Sequence, residues 1–284
     1  MILDPRIFLG GLFLGSLYGT AAVGFQLILG ATGRVHLTFG HLWIVWALGF
    51  SSVTAHGAIR LIAVLTAMTA CGWAAGWLLH PGILFRGRLT EERARSFFLV
   101  TLGAALILEH VGGRFWPLPG TALAWAPAPL FLGRVAVPPA KLGLLASGLC
   151  LAVGFQLYLR RSRWGRAFVA WDLGREPVWL VGVDTAALGR RAVALGVAVS
   201  ALAGGFLALS YTVSIQEGMA MTIRLLVLAV LGGTLSPLGV LGAGMGLGVG
   251  EALLGQVLGL RWSPALGYVL LLAILPVMGR RRTW

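Results

Sequence analysis

Residues 7–29 read IFLGGLFLGSLYGTAAVGFQLIL, a run without a single charged side chain. As a helix it would rise roughly 35 Å at 1.5 Å per residue, enough to cross a hydrocarbon core about 30 Å thick. Lipid offers no hydrogen-bond partner to a peptide group, so a run like this must satisfy its backbone internally, as a helix. Gly11, Gly15 and Gly19 recur at every fourth position. They place a strip of small residues on one face, where a neighbouring helix can approach closely.

Similar apolar runs follow at 35–53, 59–79, 96–115, 141–159, 192–213, 219–233, 238–258 and 264–278. The whole chain is 58% hydrophobic and only 11% charged, with a mean hydropathy of +0.90. Soluble domains carry about a quarter charged residues, which excludes that class. The expected fold is an all-α polytopic membrane protein of roughly 8–10 transmembrane helices, some of them broken or half-length, in one domain over residues 1–284. The first run is too long for a cleaved leader and is expected to remain as a span.

The net charge of +13 does not point to nucleic acid. The arginines lie in short connections between apolar runs, where they set membrane orientation and meet anionic headgroups. The longest polar interruption, 160–191, carries Arg160, Arg161, Arg163, Arg166, Arg175, Arg190 and Arg191. Placing it in the cytoplasm puts residues 86–95, Arg34 and Arg280 to Arg282 on the same side. The N-terminus is then outside and the C-terminus cytoplasmic. Within it, Trp164, Phe168 and Trp171 recur at helical spacing, so an amphipathic helix is expected from Arg163 to about Trp171. Pro177 cannot continue that helix and should open a second short piece, 176–183, as a first-turn residue.

Two further segments are irregular. HLTFGHL, residues 36–42, is too polar for a plain span and reads as a broken helix start, which survives in a membrane only under protein or beside a water-filled cavity. Its residues His36, Thr38, Phe39, Gly40 and His41 are candidates for a translocation path. His36 and His41 are expected to satisfy the backbone of the break. Six prolines between 117 and 139 suit an interfacial loop better than a helix. Glu109, His110, Arg224 and Glu251 stand in or near spans, where a charge needs a partner, a cavity or an interface. Arg224 and Glu251 read either as path residues facing a zwitterion or, near span ends, as an internal ion pair or side chains reaching the headgroups. The structural reading, pair or headgroup contact, is the one favoured. Cys71 and Cys150 lie in apolar runs and read as small buried hydrophobes. Gly242, Gly246 and Gly250 read as another small-residue face, with Gly244 and Gly248 beside it. These glycines follow no strand, which excludes a dinucleotide loop.

Several of these pieces, in order, resemble the membrane permease of branched-chain amino acid ABC importers, a group related to the ribose and simple-sugar permeases. SRWGRAFVA (162–170) with GREPVWLVGVD (174–184) is similar to the family's cytoplasmic S-R-x-G-R-A-x-x-A and N-R-E-A-A segments. VLGGTLSPLGVLGAGMGLGVGE (230–251), TLGAALILE (101–109) and the first span also match its patterns. The resemblance implies a permease paired with a second permease subunit, two ABC ATPase subunits beneath, and an extracytoplasmic solute-binding protein. It implies residence in a bacterial or archaeal cytoplasmic membrane. The chain would bind no cofactor and would not be an enzyme, since ATP is used by the partner; no G-x-x-x-x-G-K-[ST] loop is present. The residues expected to contact the ATPase are Arg163, Trp164, Gly165, Arg166, Ala167, Phe168, Trp171, Arg175, Glu176 and Gly182. Trp164, Phe168 and Trp171 would fill an apolar groove of that partner, and Arg163 and Arg166 would pair with its acids. The chain departs from the family at Pro177 and at 35–40, where the family's Asn and His are replaced by His36 and Phe39. The alternative is a stand-alone secondary transporter or channel for a small polar solute.

Overall fold

The computed structural model describes residues 5–53, 58–83, 91–117, 128–132, 135–173, 184–233, 235–259, 262, 265, 268–270 and 273. The elements in chain order are helices α1 (Pro5–Thr32), α2 (Phe39–Ser51), α3 (Ala58–Ile83) and α4 (Glu91–Phe115), then a short hairpin of β1 (Leu130–Leu132) and β2 (Val135–Val137). After it come α5 (Pro139–Arg161), α6 (Arg163–Leu173), α7 (Thr185–Ser210), a 3-10 turn (Ile215–Glu217), α8 (Gly218–Gly232) and α9 (Pro237–Leu258). Among the described residues, seven helical segments are long and apolar enough to cross a membrane, and α2 is a shorter apolar helix. The protein is a polytopic helical membrane protein. The expected last span, 264–278, lies mostly outside the described residues.

Two boundaries differ from the sequence expectation. The charged connection 86–95 is already helical from Glu91, because nothing in Glu-Glu-Arg-Ala-Arg opposes a helix and acids are favourable in its first turn. The proline-rich segment does contain regular structure. Leu130 pairs with Val137 and Leu132 with Val135 in an antiparallel hairpin.

Helix α1 is the centre of the bundle. From Gly15 to Thr32 every side chain is buried. The glycine strip explains how. A methyl on Gly11 would sit 2.7 Å from the Gly248 carbonyl oxygen, and one on Gly15 would overlap the Gly244 carbonyl. Gly244 and Gly248 of α9 therefore run antiparallel to the α1 strip at backbone contact, where dispersion replaces a missing hydrophobic drive between helices. Among the described residues, nothing lies within 4 Å of a methyl added to Gly242 or Gly246, of the face expected to make such a contact. Helices α2, α7 and α8 close over the rest of α1 around Leu17, Phe25, Trp43, Phe50 and Leu225, all fully buried. The outer helices α3 and α4 expose Ile59, Ile62, Leu78, Leu99 and Ile107, the apolar side chains that a lipid-facing surface requires. Cys71 of α3 and Cys150 of α5, expected to be buried, are exposed as well, because an apolar run is the same whether its side chains meet protein or lipid.

Candidate functional site

The break at 36–42 is a half-helix start set inside the bundle. Helix α2 has thirteen residues, about 20 Å of rise against a core of about 30 Å. Its first residue, Phe39, meets Phe25 edge-on with ring centroids 5.4 Å apart. Phe25 precedes the end of α1 by two turns, so α2 begins about 10 Å inside that end. Opposite it, α8 also begins within the bundle, and the two helix starts touch. A methyl on Gly40 would overlap the Gly218 carbonyl, and one on Gly218 would overlap the His41 ring.

Threonines complete the hydrogen bonding of this crossing. Thr222 Oγ1 accepts from the Gly40 amide at 2.9 Å and lies 3.0 Å from the carbonyl oxygens of both Leu37 and Gly218, which share its one proton. Thr38 Oγ1 donates to the Thr101 carbonyl of α4 at 2.8 Å. The histidines were expected in that role, and the structure uses them otherwise. His41, with no exposed surface, lies with Nε2 3.3 Å from Glu109 Oε2 on α4. His36 meets Phe97 edge-on at 5.9 Å. A hydroxyl can donate and accept within one turn of its own helix, whereas the longer imidazole reaches past the break to the next helix. Thr222 carried no signal in the sequence beyond being a threonine in an apolar run. Phe39 is packed as a core residue against α1.

Arg224 and Glu251 form a second polar group. Arg224 Nε lies 3.4 Å from Glu251 Oε1, joining α8 to α9, and the guanidinium stands 5.5 Å from the ring of Tyr18 on α1. Both charged side chains are buried, Glu251 at 2% exposure. Arg224 stands midway along its span, which begins at Ile215 before α8, and Glu251 is nearer the middle of α9 than its end, so neither lies near a span end as expected. Trp43 of α2 meets the ring of Tyr18 edge-on, with centroids 6.4 Å apart.

Helix α6 begins at Arg163 as the sequence predicts. Ser162 opens it: its Oγ accepts from the Gly165 amide at 2.8 Å, and its carbonyl from the Arg166 amide at 3.1 Å. Gly165 has to be glycine, because a methyl there would overlap the Tyr158 carbonyl at the end of α5. The aromatic face requires a correction. Phe168 and Trp171 are 4% and 6% exposed, packed on Leu27, Ala31, Leu159, Leu188 and Ala192 of the same chain. Trp171 Nε1 donates to the Ala31 carbonyl at 3.0 Å. These two side chains hold α6 to α1, α5 and α7 and are not free to fill a partner's groove. The exposed face carries Arg163, Trp164 and Arg166, with Ala167 half-buried at its edge. Arg175, Glu176 and Gly182, and the second piece 176–183, lie outside the described residues.

The sequence profile described as "branched-chain amino acid transport system / permease component" matches residues 7–278. The chain is 24% identical to the high-affinity branched-chain amino acid transport system permease protein LivH of Salmonella typhimurium, over 94% of this chain and 91% of that protein. The LivH protein of Escherichia coli K12 gives the same figures. BraD of Pseudomonas aeruginosa, named likewise as a permease of that system, is 23% identical over 93% of this chain and 91% of its own length.

Proposed function

The chain belongs to the branched-chain amino acid transport system permease family, and we propose that it forms the translocation path of an ATP-driven importer for leucine-like or other amino acids. In this reading α6 faces the cytoplasm of a bacterial or archaeal cell and seats on an ABC ATPase subunit. A second permease subunit completes the pore, and a solute-binding protein delivers the ligand at the opposite face. ATP is hydrolysed by the partner, and this chain binds no cofactor.

The observation that carries the proposal is the way α6 is mounted. Its arginine face is exposed, with Arg166 Nη1 donating to the Arg161 carbonyl at 3.0 Å, while its aromatic face is fixed to the bundle by Phe168, by Trp171 and by the Trp171–Ala31 hydrogen bond. A displacement of α6 therefore cannot be absorbed by a loose loop. It must pass into the end of α1 and into α7. Five residues before Ala31, Gln26 Nε2 donates to the Gly233 carbonyl at 2.9 Å, in the turn between α8 and α9. One end of α1 thus joins the contact helix to the hairpin that carries Arg224 and Glu251. This is a contiguous route by which ATPase closure biases the bundle between its inward- and outward-open states. Solute would pass by the α2–α8 crossing, where His36, Thr38, Gly40 and His41 lie and where Glu109, beside His41, suits an ammonium group.

The test is uptake of radiolabelled leucine into proteoliposomes holding this chain with its ATPases, partner permease and binding protein. Uptake should require ATP and fall sharply with Arg166→Glu, with the permease still folded. ATP-independent, ion-driven uptake by this chain alone would replace the proposal with a secondary transporter.

A further inference from the structure

Between α3, α5 and α7 lies a cleft of about 570 Å³, at the end of the bundle where α5 hands over to α6. Its volume is in the range of about 300–1,000 Å³ common to small-ligand sites. The shaft is apolar. Trp73 and Trp77 stack nearly parallel, with centroids 5.4 Å apart, and form a flat wall facing Leu151, Phe155 and Leu195. The mouth is cationic. Arg191 lines it, with its guanidinium 3.6 Å from the ring centroid of Trp164, and Arg190 lies beside it, 5.2 Å over the ring of Trp77.

These arginines stand five and six residues past the first residue of α7, about 8–9 Å along it, and both are half-buried. Arg190 Nε is buried without a hydrogen-bond partner. Among the described residues no carboxylate pairs with either one: the nearest acid in sequence, Asp184, is occupied in capping α7 through the amides of Ala186 and Ala187. Indole faces supply part of what a cation needs at this depth, and an anion would supply the rest. An apolar shaft beneath a cationic mouth at a membrane interface matches one kind of molecule, with an acyl chain below and a phosphate above.

We infer that this cleft is a specific site for one anionic phospholipid of the leaflet on the α6 side. Its acyl chain lies against Trp73 and Trp77, and its phosphate is held by Arg190 and Arg191. Since Arg191 also stacks on Trp164, the bound headgroup braces α6 against α7. The inference is independent of what the chain transports.

The test is native mass spectrometry of the purified full-length chain, titrated with phosphatidylglycerol, with phosphatidylcholine of the same acyl chains, and with inorganic phosphate. One phosphatidylglycerol should be retained in preference to phosphatidylcholine, and free phosphate should not displace it. Arg190→Gln with Arg191→Gln should weaken retention about tenfold or more. Gly154 lines the cleft with nothing within 4 Å of the position of an added Cβ. Gly154→Phe should therefore plug the shaft without disturbing the fold or the charge, and should remove retention as well, with thermal melting checked for each variant. Equal retention of both lipids overturns the inference, as does displacement by phosphate. An arginine effect without a Gly154→Phe effect means surface adsorption and overturns it too. So does a Gly154→Phe chain that changes oligomeric state instead of lipid content, which would make the cleft a protein interface.

Discussion

Arg224 and Glu251 face one another across α8 and α9 with Nε and Oε1 3.4 Å apart, both buried, beneath the ring of Tyr18. Neither helix alone could hold its charge in this environment. The pair is a condition for the two helices to pack as they do, because an unpartnered charge here would cost several kcal/mol.

Removing one partner should therefore be worse than removing both. Arg224→Met or Glu251→Met alone should destabilise the permease by about 3–5 kcal/mol, and the double variant should recover most of that loss. Thermal unfolding in detergent measures it. Additive losses in the double variant would mean that the two side chains act separately.

The two faces of α6 should separate stability from coupling. Trp171→Ala should cost about 3–5 kcal/mol of permease stability, since it empties a packed site and leaves the Ala31 carbonyl without its donor. Arg163→Glu with Arg166→Glu should leave the melting temperature unchanged while weakening ATPase binding at least tenfold. Melting curves and a pull-down with the ATPase read the two effects. A large stability loss from the arginine variant would contradict the assignment of its face.

The crossing of α2 and α8 should depend on the Thr222 hydroxyl. Thr222→Val keeps the shape but strands the Gly40 amide, at about 1–3 kcal/mol. Hydrogen exchange across residues 37–42 should rise, and Thr222→Ser should restore protection. Unchanged exchange in the valine variant would show that the hydroxyl is dispensable.

The two glycine faces of α9 should behave differently. Gly244→Leu should abolish a monodisperse folded protein, because its side chain would enter the backbone of α1 at Gly15 and Gly19. Gly242→Leu should be tolerated, since nothing lies within 4 Å of an added Cβ there. Size-exclusion profiles of the two variants decide this.

Much of the molecule was determined by the sequence alone. Uncharged runs long enough to span lipid dictated membrane helices. Four-residue glycine spacing on α1 dictated a close helix contact, and the spacing of Trp164, Phe168 and Trp171 dictated the amphipathic helix α6. On α9 the same glycine spacing did not tell Gly244 and Gly248, which meet α1, from Gly242 and Gly246, which do not. These are local constraints, written in backbone hydrogen bonding and in the size of a side chain. Only the tertiary structure decided what each face meets. The helical spacing of Phe168 and Trp171 says that one face of α6 is covered, but a periodicity is the same whether the cover is a partner's groove or the chain's own α1. Likewise a charge in a span declares that it needs a partner, a cavity or an interface, and the sequence left an Arg224–Glu251 ion pair beside those alternatives. Arg224 found Glu251, and the Gly40 amide found Thr222, through pairings of residues distant in sequence that only the packing of the helices brings within reach.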